Sequence, residues 1–224
     1  MRPDNFMAVK AIAFDIDGTL YPNWKMQLNS VPFFVFHPVL IYQFGEIRKE
    51  IRKLDNIEDF YATQAQLLGS VLRVPEERAK EIIDDIFYTR WERTFSRIKP
   101  YGNVKMVIES IRAMGLKTAV LSDFPVGRKL EYFGLEDLWD VELSSEETGY
   151  LKPHRRPFQV LSEKLGVSPK EMIYVGNSYS YDVAGSKGAG MISGHLASSE
   201  RDGTIADFTF SGYSDFMDKI KRFL

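Results

Sequence analysis

The chain contains no cysteine. Disulfide staples, thiolate nucleophiles and cysteine-ligated zinc are therefore excluded. Histidine is scarce as well. His37, His154 and His195 are scattered, without the spacing of a zinc site. There is no excess of one charge: the net value is −2, which leaves no footprint for nucleic acid or polyphosphate. Nor is any apolar run long enough for a membrane. The longest, Val31 to Phe44, is broken by His37-Pro38 and falls short of the roughly 20 residues a span needs. Met1-Arg2-Pro3-Asp4-Asn5 has no long apolar region behind it, so no secretory signal is read. A soluble cytoplasmic protein is the expectation. No internal repeat or low-complexity tract is visible.

What remains is a globular composition, 44% hydrophobic and 27% charged. Its 224 residues suit one domain with an insertion, or two small domains. The most informative stretch is the apolar run Val9 to Phe14, followed at once by Asp15-Ile16-Asp17-Gly18-Thr19-Leu20. Two carboxylates stand where a buried strand ends and a glycine turn begins. Such strand ends open the active crevice of parallel sheets. Like charges side by side call for a cation, or for a division of labour between nucleophile and acid. Two solvated loop carboxylates would satisfy the pattern equally well.

Three further segments end the same way. Lys117 to Leu121 runs into Ser122-Asp123. The strand-like Val141 to Ser144 precedes Gly149-Tyr150-Leu151-Lys152-Pro153. Met172 to Val175 runs into Gly176-Asn177-Ser178-Tyr179-Ser180-Tyr181-Asp182. From Pro22 to Arg97, by contrast, the pattern is helical and strand-free. Leu40, Phe44, Ile47, Ile51 and Leu54 recur at helical spacing between Val39 and Leu54. A helix from Ile57 to Leu72 is capped by Asn56 in this reading. Pro75 opens another, Glu76 to Phe95, with Ile82, Ile83, Ile86, Phe87 and Trp91 on one side. After Pro100-Tyr101-Gly102, helices at Asn103 to Met114, Val126 to Phe133, Pro157 to Leu165 and Tyr181 to Gly188 alternate with strands, the last being Met191 to Leu196. Alternation of this kind predicts a parallel sheet covered on both faces. The expected fold is an α/β Rossmann-like core, residues 1–21 and 98–224, with an inserted helical cap, residues 22–97.

The order of acid pair, hydroxyl, lysine, then amide and acid, each just past a buried strand, resembles the haloacid dehalogenase superfamily of phosphatases and related hydrolases. The resemblance covers the strand-ending motifs from Ala8 to about Met191. It implies that Asp15 is the nucleophile, taking the phosphoryl group as an aspartyl-phosphate. It implies that Asp17 is the general acid, protonating the leaving oxygen and then activating water. Phosphatases of that superfamily carry this second acid and its dehalogenases usually do not, which points to phosphate chemistry. Ser122, Asp123 and Lys152 are the phosphate-binding candidates. Magnesium is the implied cofactor, with Asp15, the carbonyl of Asp17, Asp182 and Asn177 as its candidate ligands. Asn177 departs from the more common aspartate and brings no charge.

Other features are weaker. Gly185-Ser186-Lys187-Gly188-Ala189-Gly190 matches neither the dinucleotide nor the Walker pattern and reads as helix packing. Trp24, Phe33, Phe34 and Phe36 fit packing between cap and core, or stacking on a substrate. His154, two positions after Lys152, borders the expected pocket. The expected activity is magnesium-dependent hydrolysis of a small phosphorylated metabolite. A phosphosugar mutase and a non-catalytic phosphate-ligand binder are the alternatives. Nucleotides, phosphoglycolate and sugar phosphates all remain open as substrates. Nothing decides between monomer and homodimer.

Overall fold

Strands β1 (Ala11–Phe14), β2 (Lys117–Ser122), β3 (Val141–Ser144), β4 (Met172–Gly176), β5 (Ile192–Leu196) and β6 (Phe208–Phe210) pair in parallel in the order β3-β2-β1-β4-β5-β6. These positions come from a computed structural model that describes residues 8–55 and 57–224. Every residue of β1 and β4 is buried, as expected of central strands covered on both faces. Side chains alternate across the sheet. Ile12, Phe14, Val120, Ile173 and Val175 face one layer, together with Val107, Ile108 and Ile111 of α7 (Val104–Ala113). Ala11, Ala13, Ala119, Leu121 and Tyr174 face the other, against Phe158, Leu161 and Leu165 of α9 (Arg155–Leu165). Chain order turns outward in both directions from β1. The carboxyl ends of β1, β2 and β4 therefore flank the crevice where such sheets bind ligands.

Between β1 and β2 the chain is helical: α1 (Asn23–Asn29), α2 (Val31–Phe36), α3 (Pro38–Ile51), α4 (Phe60–Leu72), α5 (Glu76–Ile82) and α6 (Trp91–Thr94). These helices have a third apolar cluster, built on Phe33, Phe44, Ile47, Ile51, Phe60, Leu68, Ile83 and Phe87. Leu54 lies beyond the end of α3 and is exposed. Helix α4 starts at Phe60, with Asp59 as its cap: the carboxylate accepts from Ala62 N at 2.9 Å. The Asn56 cap lies outside the described residues, as does Met1 to Met7. The long helix expected from Glu76 is continuous but changes gauge. Residues Ile83–Arg90 form a π-helix, and Phe95–Arg97 a 3₁₀ turn. Apolar spacing does not register such a change, because the buried face still recurs about once per turn.

The remaining helices, α8 (Lys129–Phe133), α10 (Ala184–Gly188) and α11 (Phe216–Ile220), complete the layers. The glycine-rich segment packs as expected: a Cβ on Gly185 would lie 2.5 Å from Phe158. Of the four aromatics at the insertion's start, Phe33 is buried while Trp24 and Phe36 are largely exposed. No described helix is long and apolar enough to cross a membrane.

Candidate active site

β1 hands its register directly to the site. Phe14 pairs with Val120 on one side and Val175 on the other, and Asp15 N continues the ladder to Val175 O at 2.8 Å. The Asp15 carboxylate thus leaves a rigid strand end, buried. Its Oδ1 accepts from Lys152 Nζ at 2.8 Å and its Oδ2 from Thr19 Oγ1 at 2.7 Å. Lys152 Nζ also donates to Asp182 Oδ1 at 2.7 Å and reaches Leu121 O at 3.3 Å and Tyr174 Oη at 3.2 Å. One buried ammonium therefore joins the ends of β1, β2 and β4. Burial alone would lower its pKa, but Asp15 and Asp182 hold it well above the ordinary lysine value. Asp182 sits in a one-turn π-helix, Tyr179–Val183, and its Oδ2 accepts from Ser178 N at 2.9 Å. Gly176 is what lets it approach: a Cβ there would lie 2.3 Å from the Asp182 carboxyl carbon.

Asp17 lies two residues on and has a different environment. Its Oδ1 accepts from Tyr21 Oη at 2.8 Å, its Oδ2 from Ser122 Oγ at 3.2 Å, and Lys129 Nζ bonds it at 2.9 Å. The two acids diverge accordingly. Burial pushes Asp15 up to about 7; Lys152 opposes this, while Asp182 and Asp17 add to it. Burial also raises Asp17, but Lys129, Tyr21 and Ser122 outweigh it and hold the carboxyl below its ordinary value. Gly18 makes the turn at φ +91°, where a Cβ would meet Asn177 Nδ2 and Asn23 Oδ1, each at 2.5 Å.

Thr19 ties this turn to β4. Its hydroxyl accepts from Asn177 N at 3.1 Å and lies 3.2 Å from Asn177 Oδ1. The structure thus gathers Asp15, Asp17, Ser122, Lys152, Asn177 and Asp182 around one crevice. Asp123 is also there, but its carboxylate is engaged elsewhere. Oδ1 accepts from Lys152 N at 3.0 Å and Ser145 Oγ at 2.7 Å, and Oδ2 from Arg52 Nη2 at 2.6 Å. His154 accepts from Arg156 N through Nδ1 and stacks on Tyr150 with centroids 3.9 Å apart.

The donor set suits a hard divalent cation. Among the described residues three carboxylates, Asp15, Asp17 and Asp182, share the two ammonium groups of Lys152 and Lys129. No cluster of three or more His, Cys, Asp or Glu side chains among the described residues is arranged to hold a metal. Magnesium does not require one, since it is commonly held by one or two carboxylates and retains several waters.

Several residues of the site carry no sequence motif. Lys129 falls on the apolar face set by Val126, Leu130 and Phe133, and Arg48 on that of Phe44 and Ile51. A cation on an apolar face is a signal, because burial of a charge demands a partner. Tyr174 and Tyr21 gave less, since each reads as a core aromatic until its hydroxyl partner is known. Arg48 pairs with the buried Glu146 and donates to Gln64 Oε1 at 3.0 Å and Asp123 O at 2.6 Å. Tyr88 donates to Glu146 Oε2 at 2.8 Å. Beside this network a cavity of about 150 Å³ is lined by aromatic rings, including Phe33, Phe34, Phe44 and Phe124, together with Arg48.

The sequence model of a family described as haloacid dehalogenase-like hydrolase matches residues 9–190. A glyceraldehyde 3-phosphate phosphatase of Methanopyrus kandleri is 24% identical over 96% of this chain and 98% of its own length. A pyrophosphatase PpaX of Halalkalibacterium halodurans is 25% identical over 83% of this chain and 82% of its own. Among solved structures, a 2-haloacid dehalogenase from Pseudomonas syringae superposes with a TM-score of 0.69 at 20% identity, over 96% of this chain and all of that one. A HAD phosphatase from Thermococcus onnurineus gives 0.63 at 21% identity, over 94% and 97%. Phosphatase and dehalogenase share the fold, so fold alone does not separate the two chemistries.

Proposed function

Because the chain belongs to the haloacid dehalogenase-like hydrolase family, we propose that it is a magnesium-dependent phosphatase acting on a small phosphate monoester through phospho-Asp15. The observation that carries this reading is the second acid. Asp17 stands beside Asp15 at the same strand end, hydrogen-bonded to Ser122. Transfer of a phosphoryl group from an ester needs a proton for the departing alkoxide oxygen, which departure of a halide does not. The matching relatives named as phosphatases support it.

In this reading Asp15, fixed by the β1 ladder and Thr19, attacks phosphorus and releases the alcohol. Lys152 neutralises charge on the phosphoryl oxygens and on Asp15, and Ser122 donates to a phosphoryl oxygen. Lys129, Tyr21 and Ser122 hold Asp17 ionised, but an incoming phosphate dianion raises its pKa, so that it enters the first step protonated and gives that proton to the leaving oxygen. In the second it removes a proton from the water that attacks phospho-Asp15 and restores the carboxylate. Asp15, the carbonyl of Asp17, Asp182 and Asn177 would hold magnesium, which when bound offsets phosphate charge and aids alignment. Asp123 binds no phosphate directly, since its carboxylate would repel the anion and is already occupied. Residues 22–97 act as a cap over the crevice, and their aromatic cavity selects the leaving group.

Release of inorganic phosphate from a generic aryl phosphate tests this. Magnesium-dependent release that stops on chelation is expected. Full activity in excess EDTA after removal of bound metal would exclude the mechanism. Release only with a bisphosphate primer would indicate a mutase, and none under any condition a binding protein.

A further inference from the structure

The helical segment reaches into the catalytic lysine's own backbone. Arg52, at the C-terminus of α3, donates from Nε to Lys152 O at 2.9 Å. Its Nη2 donates to Asp123 Oδ2 at 2.6 Å, and Asp123 Oδ1 accepts from Lys152 N at 3.0 Å. Both main-chain polar groups of Lys152 are thus held by one ion pair, one of whose members belongs to the insertion. The other end of Lys152 bonds Asp15 and Asp182 at 2.8 and 2.7 Å. The Arg52 guanidinium also lies 4.4 Å from the ring of Tyr181, the neighbour of Asp182. Arg52 therefore touches two of the segments that place charge around Asp15.

We propose that Arg52 is a positioning residue: acting with Asp123, it fixes the main chain of Lys152, so that the insertion sets the core's capacity to hold and transfer phosphate as well as its choice of leaving group. The inference rests on the phosphatase reading for its catalytic consequence, though its geometric content does not. A lysine side chain has four rotatable bonds, so its ammonium is only as well placed as the backbone it hangs from. Displacement by about 1 Å can cost on the order of 100-fold in rate. Arginine is suited to the task because its planar fork presents separate donors in fixed geometry, Nε to the carbonyl and Nη2 to the carboxylate.

The test uses the full chain and the variants Arg52→Lys, Arg52→Gln, Asp123→Asn and the double variant Arg52→Gln/Asp123→Asn. Two quantities are read: kcat on a small aryl phosphate, which makes little use of a leaving-group pocket, and affinity for inorganic phosphate by calorimetry. Melting temperatures locate each variant's folded range, and all measurements are made within it. Arg52→Lys and Arg52→Gln should each lower kcat by about 10- to 100-fold and weaken phosphate binding. Asp123→Asn, the milder change, should do the same to a smaller degree. The double variant should lose less than the product of the two single losses, because the residues act as one unit. Unchanged kcat and phosphate affinity in both arginine variants would overturn the proposal, as would a loss confined to KM for bulky esters. If the wild type binds phosphate but releases none from any ester, the phosphatase reading fails. Weakened phosphate binding in the arginine variants would then still uphold the positioning role.

Discussion

The carboxyl end of the sheet and the helical insertion above it follow different rules. At the sheet end three functional groups are placed by local backbone: Asp15 directly follows β1, Ser122 ends β2, and Asn177 directly follows β4. Pairing of Ser122 with Ser144 and of Phe14 with Val175 fixes their relative heights. In the insertion the buried side chains are placed chiefly by tertiary approach. Phe44 stacks on Phe87 at 3.8 Å, and Arg48 lies 4.1 Å from the Phe124 ring centre, across gaps of many residues. In the proposed reading the first arrangement handles what all phosphate monoesters share. The second meets the core through polar contacts that include those of Arg48, Arg52 and Tyr88.

The comparison is sharpest at the acid pair. Asp15→Asn should abolish turnover of every ester alike, by more than about 10⁴-fold, and remove any covalent phosphate found after an acid quench. Asp17→Asn should keep substrate binding and slow both chemical steps by about 10²–10⁴-fold. A substrate-dependent effect at either position would break the division between regions.

A smaller effect is expected where the regions are locked together. Arg48 and Glu146 are a buried pair, and Tyr88 and Gln64 complete the network. Removing one partner leaves a buried charge, so Arg48→Met should cost about 3–5 kcal/mol in denaturant unfolding. A loss within about 0.5 kcal/mol would show that insertion and core are energetically separate. Smaller still are changes to the aromatic cavity. Phe34→Ala, and Ile41→Ala at a second residue lining the cavity, should lower kcat/KM for the natural substrate by about 10-fold or more, with little change for a small aryl phosphate. Equal losses on both would remove the insertion's role in selection. The smallest effect belongs to Asn177→Asp, which adds a negative oxygen beside Thr19 and should tighten magnesium several-fold in a titration. Unchanged affinity would mean that Asn177 does not approach the metal.

The same contrast explains what the sequence made legible. The strand ends were readable because a short apolar run followed by glycine and acid has few structural interpretations. Alternation predicts a parallel sheet but does not fix the order of its strands. β6 and α11 were too short to register. The sequence placed Ser122 and Asp123 side by side at a strand end, where adjacent side chains point apart. Ser122 turns to Asp17, and Asp123 to Arg52 and Lys152 N. Lys129, Arg48 and Arg52 depend on tertiary approach, and only the first two left a trace, as cations on apolar helix faces. The π-helical stretch of Ile83–Arg90 keeps the expected residues Ile83, Ile86 and Phe87 inside, so its altered gauge leaves no mark on the pattern.

The central claim is that Asp15 is the phosphoryl acceptor in a metal-dependent hydrolysis. Its most direct test is phosphate release from an aryl phosphate by the wild type with magnesium, by the wild type after chelation, and by Asp15→Asn with magnesium. The account predicts release in the first case and none above background in the other two. An Asp15→Asn enzyme working near the wild-type rate would contradict it.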